Sequence, residues 1–412
     1  MATLEKEIAV KAAKTTAANT TDFQARFRRY IVAGAEQALT QVHTLEMIIQ
    51  DERRRQSVLQ ILEFALEAPE ALHQALAILE TLAPQVEQVG FWQEWVPYME
   101  KGIDQSQRHR EEEAEARLRL LLGVLLRQMG SYDESYVHLT QSAQQFQQLG
   151  DVGNQAKALN RLAFLCRLQR NYEEANEHAN NALELLDVDD TERAYSYLAH
   201  GAIAYDHEQY QEAVHNFQRA VNIIERTNDK RLIARHLRNL GPALRELGRY
   251  DEAIACDQRA IDLFDEVHDP IQKAQVHMNL GLVYIESGQL AASLEEFKVA
   301  EPILRRTYDR LYLALLSLNQ GVVHRELKMW IESVGYLKSS IEHWKMLDMP
   351  ASLANAYDTL GMTYLKQKKK EQALSQFQQA LNSLTQSVDD PSCDSFMNEI
   401  KEHIHEANSL SS

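Results

Sequence analysis

Three asparagines, Asn239, Asn279 and Asn319, stand forty residues apart in a chain of 412 residues. An amide side chain both donates and accepts, so such a series can follow a peptide backbone. Arginines recur in a related register, Arg127 and Arg167 forty residues apart and Arg245 and Arg325 twice that. A guanidinium grips a carboxylate as a fork. Other chemistry is thin. The chain has no glycine-rich phosphate loop of the GxxxxGK[ST] form, no GxSxG elbow and no HExxH pair. The nearest metal-like grouping is Cys393, His403 and His405. Residues two apart on a helix point to nearly opposite sides, so His403 and His405 do not share one ion. Single histidines such as His236, His277 and His324 read as packing or surface residues. The expectation is a binding protein without catalytic residues, metal or cofactor.

The elements that carry these side chains follow from a repeat. Small residues recur at Gly123, Ala163, Gly201, Gly241, Gly281, Gly321 and Gly361. Twelve residues after each stands another, Ser135, Ala175, Ala213, Ala253, Ser293, Ser333 or Ala373. A third follows seven residues on, from Ser142 and Ala182 through to Ala380. Two antiparallel helices approach closely only where side chains are small. Large residues such as Leu162, Phe217, Phe297 and Phe377 then fill the space between neighbouring pairs, and Tyr132, Tyr172, Tyr210, Tyr250 and Trp330 sit at the turns. Each pair leaves an apolar face open, so the pairs must stack. Pro270 and Pro350 fall where first helices begin, which their fixed φ suits. Pro242 and Pro302 fall inside helices, where each deletes a hydrogen bond and is expected to kink its helix.

Segments such as LRNLGPALRELGRYDEA and HMNLGLVYIESGQLAAS carry this small–small–small spacing, which resembles the tetratricopeptide repeat family. The long period is similar to the repeats of kinesin light chain, bacterial peptide-sensing regulators and the sensor arms of bacterial signalling ATPases. The likeness runs from Glu111 to Asp390 and implies an all-α, right-handed solenoid. The expected organisation is a tail over 1–20, an N-terminal helical segment over 21–110, seven repeats over 111–390 and a capping helix with tail over 391–412. Within the N-terminal segment, Asp22 would cap a helix reaching Gln50. A second helix would run from Asp51 to Ala68, and a third would stop before Pro84. Phe91, Trp92, Trp95 and Tyr98 would form an apolar seam onto the first repeat. Phe396, Ile400 and Ile404 give the last helix one apolar stripe.

In the resembled fold the first helix of each repeat lines the concave face. Its inward positions here hold Arg117, Arg127, Lys157, Asn160, Arg161, Arg167, Arg235, Arg238, Asn239, Arg245, Asn279, Asn319 and Arg325. Asparagines on these helices hold the ligand's main chain in the peptide-binding members. The same resemblance suggests an extended, acidic peptide or protein segment as ligand. Intramolecular pairing would produce a similar composition, because Glu246 and Glu326 stand beside Arg245 and Arg325.

The net charge of −17 argues against a direct nucleic-acid binder, which would show a basic footprint. Three scattered cysteines fit a reducing, cytoplasmic setting. No apolar run is long enough to span a membrane, and residues 1–21 lack the apolar core of a secretory signal. The expected role is a scaffold or adaptor for another protein or peptide, and imperfectly capped repeats can also self-associate. The alternative is a ligand-responsive regulator, or a sensor subunit of a bacterial signalling or defence complex.

Overall fold

A computed structural model describes residues 26–42, 51–89, 91–307, 309–385 and 391–409. The described residues form helices and short connections, with no strand among them. The chain divides into two compact units, Met1–Ile203 and Ala204–Ser412.

The first unit opens with helix α1 over 26–42, α2 (Glu52–Ala65), a 3-10 turn (Pro69–Ala71), α3 (Leu72–Val89) and α4 (Trp92–His109). Asp51 caps α2 by accepting from the backbone N–H groups of Arg53 and Arg54. The ends expected for α1, and the tail before it, lie outside the described residues. The stop expected before Pro84 does not occur, because α3 runs through it. Pro84 removes one helical bond, but continuing the helix buries Val86 in one core with Leu62, Leu79, Leu82, Trp95 and Met99. Trp95 is fully buried there, and Trp92 and Tyr98 pack against the same core. Phe91 departs from that seam: it stays exposed and carries the Arg55 guanidinium over its ring at 3.7 Å.

Helical hairpins follow: α5 (Glu112–Gln128) with α6 (Tyr132–Leu149), then α7 (Val152–Leu168) with α8 (Tyr172–Leu185). Helix α9 (Arg193–Asp206) ends just past the boundary between the units. The second unit continues with α10 (Tyr210–Ile224), α11 (Lys230–Glu246), α12 (Tyr250–Glu266), α13 (Pro270–Glu286) and α14 (Leu290–Thr307). It ends with α15 (Arg310–Glu326), α16 (Trp330–Leu347), α17 (Pro350–Lys366), α18 (Lys370–Leu384) and α19 (Pro391–Ser409). Within each unit the dominant contacts join consecutive helices, so the fold is an all-α stack of hairpins. Helix α19 closes the stack by burying Ile400, with Phe396 and Ile404 half-buried beside it.

The repeat spacing has a direct steric cause. A Cβ built on Gly123 would meet Leu139 Cγ at 2.6 Å, and one on Gly321 would meet Leu337 Cγ at 2.5 Å. Phe297 and Phe377 crowd Gly281 and Gly361 in the same way. At four of the five serine small positions the hydroxyl is satisfied across the hairpin, as where Ser135 donates to Gly123 O at 2.7 Å and Ser340 to Ala314 O at 2.8 Å, whereas Ser293 Oγ has no partner among the described residues. Four first helices start on side-chain caps, with Asp151, Asp229, Asp269 and Asp309 each accepting from an N–H three residues on.

Candidate functional site

The residues expected to meet a ligand lie on the first helices of the hairpins. In the first unit two of the expected cations, Arg117 and Arg161, already have counter-charges. Arg117 Nε donates to Glu80 at 3.0 Å, and its guanidinium also pairs with Glu113. Arg127 and Arg167 are half-buried and engaged with the protein. Arg161 lies over the Tyr195 ring at 4.5 Å, with Glu192 at 3.9 Å. Lys157 is exposed and donates to Asn154 at 3.1 Å. Arg117, Lys157 and Arg161 rim a cavity of about 360 Å³ whose floor is Ala83, Leu120, Leu121, Val124 and Leu125.

Asn160 is fully buried and belongs to the fold. Its amide donates to the Glu192 carboxylate at 2.9 Å and to Glu192 O at 3.2 Å, and its carbonyl accepts from Ser196 at 2.7 Å. Burial pushes the Glu192 carboxyl above its ordinary range, against the pull of Arg161 and Asn160.

The second unit arranges its polar face differently. Arg238 on α11 donates to Gln275 Oε1 at 2.5 Å and to Gln272 Oε1, both on α13. Among the described residues no carboxylate reaches it within ion-pair distance. Burial moves its ionisation below the ordinary arginine value, reinforced by the Arg235 cation and opposed by the Tyr312 phenol of α15 and the Asp269 carboxylate. The Arg238 guanidinium of α11 therefore sits among amides of α13 and a phenol of α15, with the Asp269 carboxylate acting on it from beyond ion-pair distance. Arg235 is exposed beside it.

Pro242 shapes this region. Without an N–H it cannot bond the carbonyl four residues back, that of Arg238. The Asn279 amide of α13 approaches that carbonyl at 3.5 Å. Asn239 donates to Arg235 O on its own helix at 2.8 Å. Asn319 is half-buried on α15. Each amide has more donor and acceptor capacity than these contacts use.

Arg245 and Arg325 are paired. Arg245 meets Glu246 and, at 3.1 Å, Glu286. Arg325 meets Glu326 at 3.0 Å, and Lys366 reaches the same carboxylate at 2.9 Å. The glutamates adjacent in sequence do take up these two cations.

Two features escape the sequence pattern. Asp257 is fully buried on α12, where the same position of other hairpins holds Leu139, Phe217, Phe297, Leu337 or Phe377. Its carboxylate faces Gly241, and neither oxygen has a hydrogen-bond partner among the described residues. Burial holds its carboxyl well above the ordinary range, only partly offset by Arg245. The sequence signal for it is a break in a hydrophobic column. Asp358 is likewise buried, and His403 of α19 meets it at 2.9 Å. That contact gives His403 a packing and pairing role. The side chain of Cys393 lies outside the described residues.

A family model described as tetratricopeptide repeat matches residues 112–187, 190–266, 232–306 and 312–386. No protein of curated function matches the chain. Among solved structures, aspartyl phosphate phosphatase F from Bacillus subtilis is 15% identical with a TM-score of 0.54, over 86% of this chain and 93% of that one. A Rap protein complexed with competence and sporulation factor is 14% identical with a TM-score of 0.52, over 84% and 99%. A signal transduction ATPase with a tetratricopeptide repeat sensor, from Pyrococcus horikoshii, is 14% identical with a TM-score of 0.55, over 86% and 55%. At such identities the likeness shows the fold alone.

Proposed function

The chain belongs to the tetratricopeptide repeat family, and from that premise we propose that it is a binding scaffold or adaptor for an extended, acidic segment of another protein or peptide. The single observation that carries this reading is Arg238. A half-buried guanidinium held by glutamine amides and ion-paired to no carboxylate among the described residues is available to an incoming one, whereas Arg117, Arg245 and Arg325 already meet glutamates. Charge-assisted hydrogen bonds of this kind are about twice as strong as neutral ones. Asn239, Asn279 and Asn319 supply amides for the ligand's main chain, and Arg235 adds a second cation. In the first unit, Lys157 and Arg161 offer a further basic contact above an apolar floor.

Among the described residues no helix is long and apolar enough to cross a membrane. One structural relative of this fold is complexed with competence and sporulation factor, which makes a bound factor a reasonable use of the scaffold. Binding without catalysis is the reading we adopt.

The test is fluorescence anisotropy of a labelled peptide alternating glutamate and alanine, titrated with the full chain. Arg238→Gln is expected to weaken binding roughly tenfold to a hundredfold, since a hydrogen bond to a charged group contributes about 1.5–3 kcal/mol. Added salt should weaken the wild-type complex as well. Equal affinities for wild type and Arg238→Gln would refute the proposal.

A further inference from the structure

The second hairpin holds a cluster that the binding reading does not use. Cys166 lies on α7 and is 1% exposed. Glu174 and His178 lie one turn apart on α8, facing it. The cysteine sulfur, a glutamate oxygen and a histidine nitrogen all come within 4.8 Å of one another. His178 Nε2 stands 3.5 Å from Glu174 Oε1. Neither ring nitrogen of His178 has a hydrogen-bond partner among the described residues, although both are buried.

The surroundings are organised as a ligand set requires. The Glu174 carboxylate accepts from the Tyr136 hydroxyl and, at 2.5 Å, from the Asn171 amide. Outer contacts of this kind fix the orientation of a metal-ligating carboxylate. A cavity of about 600 Å³ lined by Thr140, Gln144 and Gln155 reaches His178, which gives an ion a way in. The repeat supplies a comparison: the first hairpin has Glu134 and His138 at the matching positions but Leu126 in place of the cysteine. None of the other six hairpins joins all three donor types at these positions.

We propose that Cys166, Glu174 and His178 form a binding site for a borderline-soft divalent ion of the zinc class. Sulfur, imidazole and carboxylate together select zinc or cobalt over magnesium or calcium, which prefer all-oxygen sets. Binding exchanges the Cys166 thiol proton for the metal, and that proton leaves to solvent. Three protein donors leave one tetrahedral position for water or an external ligand. The site joins two helices of one hairpin, so occupancy couples metal to the stability of that hairpin. Sequence spacing alone conceals it, because Cys166 and Glu174 face each other only once the hairpin has closed.

Cobalt provides the probe. Metal-free full-length protein is titrated with cobalt chloride while the thiolate-to-cobalt charge-transfer absorption is followed, and zinc chloride is then added. The expected result is one Co²⁺ per chain, a charge-transfer band, and loss of that band on zinc addition. Cys166→Ser should abolish the band, whereas Cys393→Ser should leave it unchanged. Glu174→Gln and His178→Gln should each weaken cobalt binding at least about tenfold, matching the sensitivity of metal sites to their ligands. A wild-type protein without the band overturns the proposal, and so does a band that survives Cys166→Ser. Circular dichroism accompanies each variant. Should Cys166→Ser fail to fold, His178→Gln decides, and unchanged cobalt affinity in that folded variant overturns the site.

Discussion

The second and fourth hairpins give opposite answers to the same structural question. Three residues before the small residue of the first helix, one has Asn160 and the other Arg238. Asn160 is buried and fully bonded by Glu192 and Ser196. Arg238 remains a cation among amides. Sixteen residues after the small residue the contrast reverses. The second hairpin buries Ala179, which needs no partner, while the fourth buries Asp257, whose carboxylate has none among the described residues. Repeat position sets where a side chain points. The neighbours on the adjoining helices decide whether it stabilises the fold or stays available.

The sharpest way to break that comparison is to remove the network in the second hairpin. Asn160→Leu keeps the volume roughly constant but strips donors from the buried Glu192 and an acceptor from Ser196. Leaving a buried charged group without its hydrogen bond should cost about 3 kcal/mol. Urea denaturation checks this, with a shifted midpoint and an unchanged slope as the expected outcome. A midpoint equal to wild type would mean that Asn160 is not the structural residue its contacts make it.

The hairpin architecture is largely legible in the residues themselves. The small residues from Gly123 to Gly361 specify hairpins because a Cβ at the glycines would strike Leu139, Phe297, Leu337 or Phe377. The aspartates at the joints are caps, and the Ile400 stripe is a closing helix. The N-terminal helices are less legible, since a proline reads as a stop while Val86 beyond Pro84 still finds a core. The polar face is legible in position but not in state. That Arg238 meets Gln272 and Gln275, whereas Arg117 meets Glu80, depends on pairings between helices some 35 residues apart or more. No local pattern encodes them. The Cys166, Glu174 and His178 grouping escapes for another reason, since its members lie within one hairpin and meet only when that hairpin closes.

The next largest effect should come from restoring the fourth hairpin to the pattern of its neighbours. Asp257→Leu places at Gly241 the side chain that already packs on Gly123 and Gly321. Burying an unbonded polar group costs about 1–3 kcal/mol, so the variant should gain about that much stability at neutral pH. The gain must depend on pH in a definite direction. Burial first, and Glu296 in addition, raise the Asp257 pKa in the folded chain, with Arg245 opposing. Below the unfolded carboxylate pKa both states are protonated and the acid carries no penalty for ionising. As pH rises from there toward the folded pKa, the unfolded chain ionises first and the native state loses stability. The difference between Asp257→Leu and wild type should therefore widen with rising pH in urea titrations. A difference that narrows with rising pH would mean that Asp257 is ionised and paired in the fold.

The smallest effect tests whether pairing, rather than residue type, sets availability. Arg325 occupies a first-helix face as Arg238 does, but Glu326 already takes its charge. In Arg325→Gln, that glutamate keeps Lys366 at 2.9 Å, so no carboxylate is stranded. Partly exposed ion pairs contribute about 0–1 kcal/mol, and stability should fall by no more than that. Affinity for the acidic peptide should stay within about twofold of wild type, far from the loss expected for Arg238→Gln. The two variants remove the same charge from equivalent helices, so a general loss of positive potential would affect them alike. A matched loss in both would show that the peptide reads the field of the whole face. A loss confined to Arg238→Gln would show that it reads the one guanidinium left among amides.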